Sequence, residues 1–246
     1  MAKNSFEIIS NGDITIQNFP ILDLKFDHEK LDEIWKEICN QKNNKLFNGK
    51  VLTYIDSIKQ NDTLIVKAGF VDYKIVISSR SDPSLGLKIK QIGVSGITII
   101  CDDDNEYVLF STRSFETTEY PNFLELVPSG NIDESTLQHD GTVDFSTKLI
   151  DEFVEETGLD KQSIQKIVPL CLVLDKKNQV YDVCCKINII SSKSNIFKTF
   201  KKVSEYGTPE LVHVNSLEKF IEQNYSKIVP TSLAILTNLT KNNHYL

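Results

Sequence analysis

The sequence predicts an α+β fold in which helices flank a mixed β-sheet. Strand and helix patterns alternate along the 246 residues without the regular strand–helix–strand repeat of a parallel sheet. With 40% hydrophobic and 25% charged residues, the composition is that of an ordinary globular protein. A change in pattern near residue 90 divides the chain into an N-terminal lead-in region, residues 1–90, and a main domain, residues 91–246.

The lead-in region combines extended segments with one helix. Asn11-Gly12 marks a turn between the extended segments of Phe6–Ile16. Apolar residues recur at helical spacing over Leu31–Cys39, which predicts an amphipathic helix. Arg80–Lys88 contains a proline and a glycine and is predicted to be a loop. Three further segments are predicted strands: Lys50–Ser57, Leu64–Phe70 and Tyr73–Ser78.

The main domain begins with strands and ends with helices. Leu217–Tyr225 and Thr231–Thr240 are predicted helices, separated by Pro230. Two of its predicted strands, Ile167–Leu174 and Tyr181–Ile190, are expected to form a hairpin around residues 176–179. The predicted strands are Gly93–Cys101, Tyr107–Ser111, Phe123–Val127, Ile167–Leu174, Tyr181–Ile190 and Glu210–Val214.

A further helix is bounded by clear start and stop signals. Asp144 is expected to cap its first turn, because an aspartate side chain accepts hydrogen bonds from free backbone N–H groups. Gly158 is expected to end it in a left-handed conformation, with Leu159 and Val154 in apolar contact. The sequence therefore predicts a helix from Phe145 to Thr157.

This helix carries a cluster of carboxylates. Glu152, Glu155 and Glu156 fall within one sector, because successive helical residues are rotated by roughly 100°. The opposite side is expected to hold Ile150, Phe153, Val154 and Thr157. Like charges at this spacing destabilise a helix, and oxygen ligands alone suit a hard divalent ion such as Mg²⁺ or Mn²⁺. A solvated helix face is the alternative interpretation.

Segments of the main domain resemble the Nudix box of the Nudix hydrolase superfamily. Asp151–Leu159 is similar to the end of the box, whose pattern is R-E-U-x-E-E-x-G-U with U apolar. Glu125–Gly130 is similar to the E-L-P-G-G that begins it, and Val108–Arg113 to the strand that precedes it. The resemblance covers roughly residues 91–240. It implies an α/β/α sandwich and a Mg²⁺-dependent hydrolase of a nucleoside diphosphate linked to another group.

The resemblance also assigns roles to individual residues. Glu152 and Glu156 are the expected catalytic residues. The expected metal ligands are Glu152, Glu155, Glu156 and the backbone at Gly130, since glycine allows close approach of a metal or phosphate. The expected substrate-binding residues are Ser129, Arg113 and Arg80. A guanidinium suits bidentate phosphate binding, although a surface ion pair is the alternative for both arginines.

The box departs from the family pattern at several points. Asp151 stands in place of the family's arginine, Thr136 in place of its first acidic residue, and the Asn131–Gly141 loop is longer. A long loop, a missing arginine and a lead-in region occur together in the branch that cleaves UDP-glucose and UDP-galactose. Ile150–Glu156 and Leu46–Gly49 are similar to segments of that branch. The leading substrate is therefore a UDP-sugar, giving UMP and a sugar 1-phosphate. The alternative is a catalytically inactive Nudix-like module that binds a nucleotide or a protein.

Composition also restricts partners and location. A net charge of −7 argues against nucleic acid as a main partner. The resemblance implies a small-molecule nucleotide as the substrate. No apolar run is long enough to span a membrane, and no secretory signal is visible. Five cysteines without a C-x-x-C spacing indicate reduced thiols, so a cytoplasmic protein is expected. Glu205 and Glu210 are candidates for a distal base. The oligomeric state is not predicted.

Overall fold

In the computed structural model, which describes residues 5–21, 24–41, 46–117, 119–200 and 206–241, eleven strands form one mixed sheet. The strands are β1 Phe6–Asn11, β2 Ile14–Asn18, β3 Lys50–Gln60, β4 Thr63–Asp72, β5 Gln91–Asp102, β6 Asn105–Arg113, β7 Leu124–Leu126, β8 Ser129–Asn131, β9 Ile164–Asp175, β10 Val180–Ile190 and β11 Tyr206–His213. The helices are α1 His28–Gln41, α2 Tyr73–Ser81, α3 Phe145–Thr157, α4 Lys193–Phe200, α5 Leu217–Asn224 and α6 Pro230–Lys241.

Strand β5 pairs with four other strands of the sheet. One edge pairs in parallel with β10 along its whole length. Three antiparallel strands share the other edge: β3 at Gln91, β8 at Gly93–Ser95 and β6 at Ile99–Asp102. The first ten residues of β5 are buried, as expected for a central strand covered on both faces. The shared edge places the short strand β8 between β3 and β6.

Helices cover both faces of the sheet. Ile92 and Val94 of β5 belong to the apolar core under α3 and α4, whereas Ile97 and Ile99 belong to the core under α5 and α6. This division follows from the alternation of side chains along a strand. The predicted fold class, a mixed sheet flanked by helices in an α/β/α sandwich, is confirmed.

The lead-in region shares its core with the main domain. The sheet continues from β5 through β3 and β4 to β2. Leu52 and Val66 lie in the same apolar cluster as Ile92. The rings of Tyr54 and Tyr181 stack with centroids 4.2 Å apart. The division of the chain into a lead-in region, residues 1–90, and a main domain, residues 91–246, stays a prediction.

Several secondary-structure assignments differ from the prediction. Tyr73–Ser78, predicted as a strand, is the start of α2, and Arg80 lies in that helix rather than in a loop. The helix packs beside α1 and buries Val76 and Ile77, so tertiary contacts override their strand propensity. Helix α4 was not predicted. Ser192 marks its start, since its hydroxyl accepts from the backbone N–H of Asn195 at 3.2 Å.

The five cysteines are all unpaired thiols. Cys184 and Cys185 lie in the cores on opposite faces of the sheet, as alternation along an extended strand predicts. Within the described residues, no helix combines the length and the apolar character needed to cross a bilayer. The cytoplasmic location stays a prediction.

Candidate active site

Helix α3 has the ends that the sequence predicts. The Asp144 carboxylate accepts from the backbone N–H groups of Ser146 and Thr147, both at 3.1 Å. Gly158 has a φ of 68°, and its N–H donates to the Val154 carbonyl at 3.0 Å. A Cβ at position 158 would also lie 3.1 Å from the Thr199 carbonyl oxygen of α4. Local signals therefore fix the length of α3 and the direction of its glutamates.

The three glutamates of α3 line one cleft of about 710 Å³ but differ in exposure. Glu155 is exposed, Glu152 is partly buried, and Glu156 is only 2% exposed. The buried stripe of the helix runs through Leu149, Phe153 and Glu156. The expectation that Val154 lies on the buried side was therefore wrong, because this side chain is 38% exposed.

Two glycines bring carboxylates against the backbone of the cleft floor. A Cβ at Gly130, in β8, would lie 2.2 Å from the Glu152 carboxyl carbon, so this carboxylate packs directly on the glycine. A Cβ at Gly93, in β5, would lie 2.7 Å from an oxygen of Asp182 and 3.0 Å from the Gly130 carbonyl oxygen. Larger residues at either position would displace these groups.

Glu156 is held by hydrogen bonds from two elements. The backbone N–H of Ser129 donates to its Oε2 at 3.0 Å, and the hydroxyl of Tyr206 lies 3.1 Å from its Oε1. The same hydroxyl donates to Glu125 at 2.8 Å. Burial, together with the charges of Glu125 and Glu152, raises the pKa of Glu156 well above its ordinary value. Since a phenol has one proton for two carboxyl groups, the geometry fits a protonated Glu156.

Arg113 lies at the cleft and is also ion-paired. Its guanidinium pairs with Glu125, and its Nε donates to the Glu119 carbonyl oxygen at 3.0 Å. Burial lowers the pKa of Arg113, but the charge of Glu125 and further neighbours raise it overall. Arg113 is therefore a permanent cation beside the glutamates, and its role in substrate binding stays a prediction.

Arg80 does not line the cleft but is linked by hydrogen bonds to residues that do. Its guanidinium donates to the Glu119 carboxylate at 2.8 Å and to the Gln91 side chain at 2.9 Å. Gln91 donates in turn to Asn131 at 2.6 Å. Glu119 and Asn131 line the cleft. Arg80 thus contacts one lining residue directly and the other through Gln91, and its role in substrate binding stays a prediction.

Lys148 is a site residue that the sequence prediction missed. Its ammonium lies 2.9 Å from Glu152 Oε1 and 3.2 Å from Asp133 Oδ2, and its side chain is 18% exposed. Burial lowers the pKa of Lys148, but these carboxylates raise it overall. A sequence signal existed, since a lysine four residues before a glutamate predicts a pair on one helix face.

Asp182, in β10, was missed as well. Its Oδ2 accepts from the Thr231 hydroxyl at 2.9 Å, and both residues line the cleft. Burial raises the pKa of Asp182 to about 7, and the charges of Glu125, Glu119 and Asp175 add to this effect. A carboxylate within the apolar run of a central strand was the available signal.

The remaining predicted positions are divided between the cleft and the scaffold. Leu46, Phe47 and Gly49 of the lead-in region line the cleft, and Phe47 is 83% exposed. Thr136 is buried in a turn, where its hydroxyl donates to the Asp133 carbonyl oxygen at 2.7 Å. Of the distal base candidates, Glu210 is exposed on β11 and does not line the cleft, and Glu205 lies outside the described residues.

The donor set of the cleft suits a hard divalent ion in chemical type. Its lining includes the three carboxylates of α3 and the backbone of Gly130, against which the Glu152 carboxyl group packs. As they stand, no three acidic, histidine or cysteine side chains among the described residues converge to hold a metal. Glu152 is instead engaged by Lys148, and Glu156 by Tyr206 and Ser129. A metal would have to displace these partners.

No family model and no curated protein matches the sequence. Solved structures with similarity include the Nudix domain of Shewanella oneidensis NrtR complexed with ADP ribose, with a TM-score of 0.43, 15% identity and coverage of 65% of this chain and 92% of that chain. A Nudix hydrolase from Alicyclobacillus acidocaldarius has a TM-score of 0.43, 10% identity and coverage of 60% and 90%. S. oneidensis NrtR complexed with a 27mer DNA has a TM-score of 0.39, 18% identity and coverage of 54% and 59%.

These identities and scores are too low to transfer an activity or a ligand from the solved structures to this chain. The expectation that nucleic acid is not a partner stays a prediction. A functional assignment has to rest on the residues of the cleft.

Proposed function

We propose that this protein is a Mg²⁺- or Mn²⁺-dependent Nudix-type hydrolase of a nucleoside diphosphate linked to another group. The supporting observation is the convergence, in one cleft, of Glu152, Glu155 and Glu156 with Arg113 and the backbone of Ser129–Gly130. These groups come from α3, β6 and β8. Hydrolysis of a phosphoanhydride needs charge neutralisation on phosphate oxygens and an activated water, and this set of residues is suited to provide both.

Each group has a distinct proposed role. A divalent ion held by Glu152, Glu155, Glu156 and the Gly130 carbonyl would neutralise phosphate oxygens and activate water when bound. Arg113 and Ser129 would bind a phosphate through the guanidinium and the hydroxyl group, respectively. Arg80 would act indirectly by holding Glu119 and Asn131.

Proton transfer falls to the carboxylates of the cleft. Glu152 and Glu156 are the proposed catalytic residues. Asp182, on the cleft floor, is a further group able to accept a proton from water, since its pKa of about 7 suits a general base near neutral pH. Its Oδ2 is oriented by the Thr231 hydroxyl.

A nucleotide sugar such as UDP-glucose is the leading substrate. A cleft of about 710 Å³ is within the usual size range for small-molecule sites. Phe47 and Tyr73 provide apolar aromatic surface on one wall, where a base could pack. Glu119, Asp133 and Asp175 line the cleft and offer acceptors for sugar hydroxyl groups. The products would be UMP and glucose 1-phosphate.

The test is a hydrolysis screen of the purified protein with and without Mg²⁺ or Mn²⁺. UDP-glucose, UDP-galactose, ADP-ribose, dinucleotides and nucleoside triphosphates serve as substrates, with products separated by chromatography. Glu155→Gln and Glu156→Gln should each lower kcat at least about 100-fold, the scale of losing one positioned catalytic group. Glu218→Gln, on the exposed surface of α5, is the matched control and should keep full activity. Failure to cleave any diphosphate at any metal concentration contradicts the proposal.

A non-catalytic binding module is the second candidate. The observation in its favour is that Lys148 and Tyr206 already engage Glu152 and Glu156. Asp151, in the position of the family's arginine, is exposed. Nucleotide binding to the wild-type protein without turnover under all metal conditions would support this candidate over the enzyme.

A further inference from the structure

Lys148 places a positive charge among the carboxylates proposed to bind metal. Its ammonium is 2.9 Å from Glu152 Oε1 and 3.2 Å from Asp133 Oδ2. Both the lysine and Glu152 line the cleft, with side chains 18% and 14% exposed. The contact is therefore shielded from bulk solvent, where a lysine–glutamate pair would contribute little.

The two acceptors are less free to move than the lysine. The Glu152 carboxyl group packs on Gly130, where an added Cβ would displace it. Asp133 accepts from the backbone N–H of Ser135 at 2.9 Å, and its backbone pairs with Val51 of β3. Lysine is a compact charge on a flexible four-carbon stem, so its ammonium is the member that can leave.

We propose that Lys148 is a built-in counter-ion that orients Glu152 and competes with a divalent cation for it, so that Lys148 sets the metal affinity of the cleft. The inference rests on the proposed function, because it concerns the same carboxylates. Without a metal, the ammonium offsets the mutual repulsion of Glu152 and Asp133. A divalent ion that binds Glu152 has to displace the ammonium or bind against its charge.

This role predicts opposite effects on metal binding and on catalysis. Lys148→Met keeps an unbranched stem but removes the competing charge, so Mn²⁺ should bind about tenfold more tightly, as expected for one unit charge at close range with partial screening. The same variant should lower kcat, because Glu152 loses the group that orients it. Lys148→Arg keeps the charge and should stay within about threefold of the wild-type affinity, well inside that tenfold effect.

The experiment is calorimetric titration of Mn²⁺ into the full-length wild-type protein, Lys148→Met and Lys148→Arg. Lys219→Met, on the exposed face of α5, makes the same change in net charge away from the cleft and should bind as the wild type does. In a Glu152→Gln background the effect of Lys148→Met should disappear, because the competition is for Glu152. Equal or weaker Mn²⁺ binding by Lys148→Met overturns the proposal.

The outcome is separable from that of the hydrolysis screen. Tighter Mn²⁺ binding by Lys148→Met in a protein without turnover would retain the counter-ion and exclude the enzyme. Turnover with equal affinities in wild type and variant would retain the enzyme and exclude the counter-ion. If Lys148→Met does not fold, as judged by circular dichroism, Lys148→Gln provides the same comparison with a polar side chain.

Discussion

Two ion pairs line the cleft, and they differ in how firmly they are held. Arg113 pairs with Glu125 and also donates to the Glu119 carbonyl oxygen, while Glu125 is buried and accepts from Tyr206. Lys148 pairs with Glu152 across a single turn of α3 and reaches Asp133 in a partly exposed loop. The contacts of the first pair connect β6, β7 and β11, whereas the second pair lies mainly within α3.

The Arg113–Glu125 pair is part of the scaffold, whereas the Lys148–Glu152 pair is one that a ligand can change. A guanidinium provides several donors in a rigid plane and can satisfy two partners together, whereas an ammonium is a mobile point charge. Both pairs are shielded from solvent, but Glu125 is the more deeply buried carboxylate, with a side chain 8% exposed against 14% for Glu152, so removal of its cation costs more. The Arg113 side should therefore control stability and the Lys148 side the response to ligands.

The largest expected effect tests the scaffold side. Arg113→Met should lower the free energy of unfolding by about 3 kcal/mol, because Glu125 stays buried without its cation. Lys148→Met should lower it by less, about 1–2 kcal/mol, because Glu152 is less buried than Glu125. Urea denaturation of both variants measures the difference. The double variant Arg113→Met/Glu125→Gln should recover part of the loss, and equal losses in the two single variants would remove the distinction.

A change next to Glu152, on the Lys148 side, should affect activity more than stability. In Gly130→Ala the new Cβ would overlap the Glu152 carboxyl group, which is the flexible end of its side chain and can move away. If the protein is a hydrolase, kcat should fall about 100-fold, as expected for misplacement of a catalytic group. Steady-state kinetics and a urea curve measure the two effects. Gly207→Ala is the control, since a Cβ there would meet only ordinary contacts.

The protonation of Asp182, on the cleft floor, should make the stability of the protein depend on pH. The pKa of Asp182 is about 7 instead of 3.8, so the native state keeps a proton that the unfolded chain releases. This contribution to stability is full below about pH 4 and declines as the pH rises towards 7. Asp182→Asn lacks the decline, so its stability relative to wild type should rise by about 3 kcal/mol between pH 4.5 and 7.5. A pH-independent difference would contradict the assignment.

The smallest expected effect concerns the link from the scaffold pair to Glu156. Tyr206→Phe removes a hydroxyl that serves both Glu125 and Glu156, and should cost about 1–2 kcal/mol of unfolding free energy. In the Arg113→Met background the cost should change by at least about 0.5 kcal/mol, because both residues contact Glu125. Additive losses in a double-mutant cycle would show that the two residues act independently.

Local signals explain what the sequence could predict. Asp144 and Gly158 determined both ends of α3, and the apolar, β-branched run Gly93–Cys101 identified β5. The contacts of Tyr206 with Glu156 and Glu125 join residues 50 and 81 positions apart, and no local pattern records such pairs. The burial of Glu156 depends on the same distant strand. The helix was therefore predictable, but the unequal environments of its glutamates were not.

The cleft takes its lining from Leu46 to Thr231, so its parts are present together only when most of the chain is folded. Long-range contacts of this kind make the assembly of the cleft a late event in folding. A small molecule that fills the cleft would bind the native chain and not the unfolded one, and would raise the melting temperature by mass action. Thermal shifts can therefore rank nucleotides as ligands in the absence of any turnover.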